Sequence, residues 1–321
     1  MKAIVQDEYG QPDVLRVEDL PTPVPGPDDV LIRVRAAGVD YGVWHTMTGL
    51  PLIARLGFGL RRPRNRVLGM DVAGVVEAVG AKVTDLRPGD EVYGAGAGTF
   101  AQFALARPAK LARKPAGLSF VQAAAVPASG VTALRAVRDV GRVAAGDRVL
   151  VIGAGGGVGS FAVQLAAGAG ARVTGVCSTA KGDLVRSLGA QAVIDYTREP
   201  LAGTYDVIID IAGNRPLSQL RGLLTDQGRL VLIGGEEGDR WFGGMLDRPL
   251  RAQLANPFTR QSLRMLLALV RTADLDALRE LIESGAVRPA VGRTYPLAEA
   301  PTAVGDLAAG NAAGKLVITV D

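Results

Sequence analysis

The sequence predicts an α/β chain in which a β-barrel-like N-terminal domain is followed by a doubly wound domain on a parallel sheet. Three observations predict it. The first third alternates apolar and polar residues between turn clusters. From about residue 148 short apolar runs alternate with helix-spaced ones. A glycine-rich turn joins the first such run to the first such helix.

The elements follow in order. Val30, Ile32, Val34 and Ala36 alternate with Leu31, Arg33 and Arg35, as in a strand with one buried face. Turn chemistry lies on either side, at Pro25-Gly26-Pro27-Asp28 and Arg87-Pro88-Gly89-Asp90. The character changes after Leu118. Residues 148–152 form an apolar run suited to a strand buried on both faces. Val158, Phe161, Ala162, Leu165 and Ala166 then recur at helical spacing. Further strands are expected at 172–177, 192–195, 206–211 and 229–233. Helices are expected around Leu184, Val185 and Leu188, and over 217–224. Past Asn256 the spacing predicts two amphipathic helices, one carrying Leu263, Leu266, Leu267 and Val270, the other Leu275, Leu278, Leu281 and Ile282. Residues 315–320 read as a strand that returns to the first domain. The expected division is 1–118 with 257–321, and 119–256.

Composition narrows the classes. With 48% hydrophobic and 21% charged residues the chain is of ordinary globular type, and 321 residues suit about two domains. No stretch approaches the roughly 20 apolar residues of a membrane helix, and the N-terminus lacks the apolar run of a signal peptide. A cytoplasmic location without stable membrane insertion is the expectation. A net charge of +4 favours small anions modestly and gives no ground to expect nucleic acid as a partner. The single cysteine, Cys177, excludes an internal disulfide, and His45 is the single histidine.

The strongest motif is Gly153-Ala154-Gly155-Gly156-Gly157-Val158-Gly159, set between an expected strand and an expected helix. Ala154, Gly156 and Gly159 occupy the spacing of the dinucleotide fingerprint. Gly156 lets backbone N–H groups approach a pyrophosphate, and Gly159 lets the helix pack closely on the sheet. The helix N-terminus adds partial positive charge there, beside Gly157 and Val158. At the end of the second strand an NAD-binding protein carries an acid for the ribose. This chain has Ser178-Thr179-Ala180-Lys181 there, and Tyr196 ends the third strand. In the strand order 3-2-1 these ends converge, so Ser178, Lys181 and Tyr196 are expected to share a pocket for the 2′-phosphate of NADPH. Hydrogen bonds to a charged group contribute roughly 1.5–3 kcal/mol each, so two give roughly a 10²- to 10⁴-fold preference over NADH. The alternative is a solvated lysine and a strand-capping tyrosine.

Several further stretches carry a resemblance. Gly69-Met70-Asp71-Val72-Ala73-Gly74-Val75-Val76, Pro88-Gly89-Asp90-Glu91-Val92, Val126-Pro127-Ala128-Ser129-Gly130-Val131-Thr132-Ala133 and Gly314-Lys315-Leu316-Val317 stand in the right order. Together they are similar to the medium-chain dehydrogenase/reductase superfamily, in its zinc-independent quinone oxidoreductase-like branch. The resemblance implies a GroES-like β-barrel catalytic domain completed by the C-terminus, with a doubly wound Rossmann cofactor domain inserted. It implies NADPH in the cleft between them, with Thr132, Gly213, Gly234 and Lys315 along the cofactor, and a homodimer.

Zinc members of that superfamily need several thiolate, imidazole and carboxylate ligands. This chain has one cysteine and one histidine, and Asp40 stands at the family's first zinc position, so no zinc is expected. Asp40-Tyr41-Gly42-Val43-Trp44-His45 occupies the branch's active-site segment but departs from its commoner Asn/Asp/Tyr pattern. Asp40, Tyr41 and His45 are the catalytic candidates. Tyr41 or His45 is expected to polarise a carbonyl or deliver a proton. Leu50 to Leu60 could cap a hydrophobic substrate, and the arginines of Arg61-Arg62-Pro63-Arg64-Asn65-Arg66 could hold an anionic tail, contact a membrane surface weakly or simply be solvated.

The resulting expectation is an NADPH-dependent oxidoreductase that reduces an activated C=C or a quinone. Metal-free alcohol or carbonyl chemistry, and a non-catalytic NADPH-binding sensor, are the alternatives.

Overall fold

The computed structural model describes residues 1–234, 241 and 244–321. It divides into two compact units, Met1–Val131 with Leu269–Asp321, and Thr132–Ala268.

The first unit opens with an antiparallel pair, β1 (Lys2–Val5) and β2 (Arg16–Asp19). The long strand β3 (Val30–Val39) follows, with Arg33 and Arg35 exposed and Val30, Ile32 and Val34 buried, as the alternation predicts. Helices α1 (Tyr41–Thr48) and α2 (Arg55–Phe58) precede β4 (Asp71–Val79), β5 (Glu91–Ala95), β6 (Phe103–Ala106) and β7 (Leu111–Arg113). Two helices follow, α3 (Phe120–Ala124) and α4 (Pro127–Leu134). Ser119 starts α3 with a capping box: its side chain accepts from Gln122 N, and the Gln122 side chain accepts from Ser119 N. Ala123 and Ala124 are buried, and α3 packs on β3 and β4. That packing joins residues 119–131 to the first unit, beyond the Leu118 boundary drawn from composition.

The second unit alternates strands and helices as expected: β8 (Arg148–Ile152), α5 (Gly157–Gly168), β9 (Arg172–Cys177), α6 (Gly182–Ser187), β10 (Ala192–Asp195), β11 (Tyr205–Asp210), α7 (Leu217–Gly222) and β12 (Leu224–Leu232). After α8 (Gly244–Ala255) comes β13 (Ser262–Met265). The sheet is parallel, in the order β10-β9-β8-β11-β12-β13. This is the 3-2-1-4-5-6 order of a doubly wound fold. Its core buries Leu150, Ile152, Val176, Ile208, Leu230 and Leu232.

One element departs from expectation. The leucines from 263 to 267 do not form a helix: Leu263 is buried in β13, which pairs with β12, while Leu267 and Leu269 are exposed. Their helical spacing is accidental, since a short apolar run fits a buried strand equally well.

The chain then returns to the first unit through α9 (Thr272–Glu283), β14 (Val291–Pro296), α10 (Ala300–Ala308) and β15 (Lys315–Thr319). β15 pairs antiparallel with β3 and parallel with β14, so the C-terminus completes the first sheet, in the order β14-β15-β3-β4-β5-β7 with β6 also on β3. No described helix is long and apolar enough to cross a membrane.

Candidate active site

The C-terminal edge of the parallel sheet gathers most of the predicted cofactor residues. Gly156 is the N-cap of the 12-residue α5 and supplies no side-chain cap, so first-turn N–H groups at Gly157 and Val158 are left for a ligand. A Cβ on Gly159 would lie 2.1 Å from Gly153 O and 2.7 Å from Ala154 Cα, which no side chain tolerates. Gly159 therefore allows the helix to sit against the turn. A Cβ on Gly156 would meet Gly153 O at an ordinary contact distance of 3.6 Å, so the protein itself does not crowd this position. Both observations fit a bound pyrophosphate.

Beside this loop lie Ser178, Lys181 and Tyr196. Cys177 pairs in register with Asp195, so Ser178 and Tyr196 are the next residues of adjacent strands. Tyr196 is half-exposed and donates its N–H to Cys177 O. Lys181 lays its aliphatic stem across Gly155, where an added Cβ would lie 2.8 Å from its Cβ and Cδ. Burial pulls its pKa below the ordinary lysine value. An acid overlooked in the sequence also stands here. Asp195 accepts from the Thr179 hydroxyl and from Thr197 N and Oγ1, and these contacts with Arg198 hold its carboxyl below its usual range.

On the other side of β8, Gly213 and Gly234 follow β11 and β12. Gly213 has φ +70° and donates its N–H to Asp210 Oδ1 at 3.2 Å. Gly234 N reaches Asp210 O at 3.4 Å. The buried Arg248 of α8 ties these loops together: its Nη2 contacts Asp210 Oδ2 at 2.5 Å and Arg215 O at 3.1 Å, and its Nη1 contacts Gly234 O at 3.4 Å. Neither Asp210 nor Arg248 stood out in the sequence, because an ion pair 38 positions apart leaves no local signal. Thr132 lies partly buried in α4.

The first unit places the catalytic candidates differently. Asp40 is the N-cap of α1, its Oδ1 accepting from Val43 N at 3.3 Å. Its Oδ2 faces Lys315 Nζ at 3.5 Å. Lys315 is 2% exposed, and it also reaches Asp71 Oδ2 at 3.0 Å and Ser129 Oγ at 3.2 Å. Three ammonium donors thus meet three oxygens. Lys315, expected along the cofactor, is enclosed among side chains of its own unit. Burial and Asp40 raise the Asp71 pKa, while Lys315 draws it down. Asp71 also accepts from Ala128 N. Asp71 and Ser129 belong to motifs that carried the resemblance, yet only the fold reveals them as partners of Lys315.

Tyr41 is partly exposed, and its hydroxyl lies 3.3 Å from Leu307 O. His45 Nδ1 lies 2.7 Å from Leu50 O. A carbonyl only accepts, so Nδ1 carries the proton of this contact. Desolvation keeps the His45 pKa below its ordinary value, and the Trp44 ring packs edge-on at 5.2 Å. The three candidates share α1 and its cap but take different partners.

Comparison with known proteins adds to this geometry. Residues 26–116 match the alcohol dehydrogenase GroES-like domain, and residues 188–318 match the zinc-binding dehydrogenase domain. The mitochondrial NAD(P)H oxidoreductase RTN4IP1 of Mus musculus is 33% identical, with 100% of this chain and 89% of the relative covered. The chain belongs to the medium-chain dehydrogenase/reductase superfamily. Within it, the quinone oxidoreductase of Lama guanicoe is 32% identical over 99% of this chain and 97% of its own. The solved structure of the quinone oxidoreductase from Coxiella burnetii superposes with a TM-score of 0.88 at 29% identity, covering 100% and 99% of the two chains.

The superfamily includes zinc enzymes, and this member's donors do not fit zinc. Its one cysteine, Cys177, is buried on β9 with its thiol pKa raised by burial, and its one histidine, His45, is on α1 of the first unit. Among the described residues no three His, Cys, Asp or Glu side chains cluster as a metal site.

Proposed function

We propose that this oxidoreductase takes NADPH and reduces a quinone or an activated C=C, such as an enone or enal, without zinc. The observation that carries the reading is the uncapped glycine turn at Gly156 to Gly159, with Ser178, Lys181 and Tyr196 on the adjacent strand ends. The relatives named as quinone oxidoreductases and as an NAD(P)H oxidoreductase support the acceptor and the cofactor class.

When bound, NADPH supplies a hydride. The chain's own residues do the rest. First-turn N–H groups of α5 hold the pyrophosphate, and Ser178, Lys181 and Tyr196 bind the 2′-phosphate. Arg248 and Asp210 fix the loops at Gly213 and Gly234. Quinones and enones need little further activation, because their carbonyl spreads the incoming charge. That suits a site whose one imidazole already gives its Nδ1 proton to a backbone carbonyl. Tyr41, with its partly exposed hydroxyl, is the better proton donor of the two candidates.

A homodimer is part of the proposal. Strand β13 ends the described sheet with one paired side, and Met265 and Leu267 beside it are exposed. NADPH oxidation with a quinone and with an enone, in the presence of a chelator, tests the reading. Turnover on neither acceptor, with NADPH bound, would reject it.

A further inference from the structure

We propose that the segment between Leu50 and Arg64 is a docking platform for anionic lipid surfaces, made by setting exposed Ile53, Leu56 and Leu60 beside Arg61, Arg62 and Arg64. The proposal concerns binding and stands whether or not the acceptor above is right.

The charge pattern is the first observation. From Tyr41 to Met70 the chain carries Arg55, Arg61, Arg62, Arg64 and Arg66 and no carboxylate. Arg66 is neutralised by Asp7 and Glu18. Arg55 is turned inward, donating to Gly49 O at 3.0 Å and stacking 4.3 Å from the Tyr9 ring. Arg61, Arg62 and Arg64 are exposed, and no ion pair engages them among the described residues.

The second observation is apolar. Ile53, Leu56 and Leu60 are 38%, 63% and 68% exposed, on and beside the short helix α2. Large aliphatic side chains kept in water next to unpaired arginines form the two-part surface of an interfacial segment. Arginine stems can lie along the acyl boundary while their heads stay among the headgroups.

The third observation is that the platform is held in place. Tyr9 Oη donates to Gly59 O at 2.6 Å, Gly59 N to Arg55 O at 2.8 Å, and Arg64 N to Phe58 O at 2.7 Å. Gly59 has φ +123°, and a Cβ there would lie 2.1 Å from Arg62 O. The turn therefore presents the arginines from a fixed backbone, with Pro63 buried beneath.

Charge decides the occupant. A second copy meeting this face by two-fold symmetry would set arginines against arginines. A soluble anion would satisfy the arginines and leave three aliphatic side chains in water. An anionic bilayer satisfies both.

The test is co-sedimentation of the whole protein with vesicles of phosphatidylcholine, alone and mixed with phosphatidylglycerol. The proposal expects binding to the mixed vesicles that weakens with salt, and little to the neutral ones. Each arginine at an anionic surface contributes about fivefold, so R61Q/R62Q/R64Q lowers partitioning on the order of a hundredfold. L56S/L60S lowers it about tenfold or more. All five side chains are exposed, and circular dichroism checks that the variants fold. R87Q/R107Q/R186Q removes the same charge elsewhere and should change little. Equal loss in that control, equal binding to neutral vesicles, or no binding to either overturns the proposal. Loss in the arginine variant but not the leucine variant also overturns it, in favour of a simple anion site.

Discussion

Lys315 Nζ lies 3.0 Å from Asp71 Oδ2 across 244 positions of sequence, with both side chains almost wholly closed to water. The pair ties β15 to β4 across β3, and through Asp40 it reaches the cap of α1. Taking one partner away strands a buried charge, which costs about 3–5 kcal/mol, whereas replacing both with apolar groups costs far less. Lys315→Met, which leaves both Asp71 and Asp40 without their cation, should lower urea stability by about that amount; Asp71→Leu, which leaves Lys315 its contact with Asp40, should cost less, and the double variant should recover part of the Lys315→Met loss. Additive losses would show that the two charges do not depend on each other.

The glycine turn makes a second prediction. Gly159→Ala drives a methyl into Gly153 O, whereas Gly168→Ala, on the same helix, meets nothing within 4 Å. NADPH affinity by fluorescence titration should fall about tenfold or more for the first. It should hold for the second.

Coenzyme choice makes a third. Ser178→Ala with Lys181→Ala should lower the kcat/KM ratio of NADPH to NADH by roughly 10²- to 10⁴-fold. Values for NADH should hardly move, because neither residue is asked to touch the unphosphorylated ribose. Equal losses for both coenzymes would place the pair outside the phosphate pocket.

His45 makes the fourth. Burial lowers its pKa below 6.5 in the folded state, so the unfolded chain binds a proton first as pH falls. Its contribution to stability is present above the unfolded value and is lost as pH falls through the folded one. His45→Gln should flatten the fall of Tm below neutrality. Tyr41→Phe should lower turnover, whereas His45→Gln should change it less. Unchanged turnover in both would remove α1 from proton delivery.

Legibility in the sequence followed the range of each interaction. Strands β8 and β11 and the end of β12 announce themselves because a strand buried on both faces is a continuous apolar run, and the glycine turn because its spacing is local. β13 was hidden by leucines that happen to repeat at helical spacing. The Asp40–Lys315–Asp71 cluster and the Arg248–Asp210 pair join residues that only the fold brings together. The partners of Asp40, Tyr41 and His45 were not legible either, because they are a distant lysine and two backbone carbonyls.

NADPH-dependent reduction without a metal is tested most directly by NADPH oxidation by the purified protein with a chelator present, offered a quinone, an α,β-unsaturated ketone and a saturated aldehyde. Turnover on the quinone or the enone is expected, unaffected by the chelator, with NADH much poorer and the aldehyde inert. Turnover confined to the aldehyde, or abolished by the chelator, would contradict it.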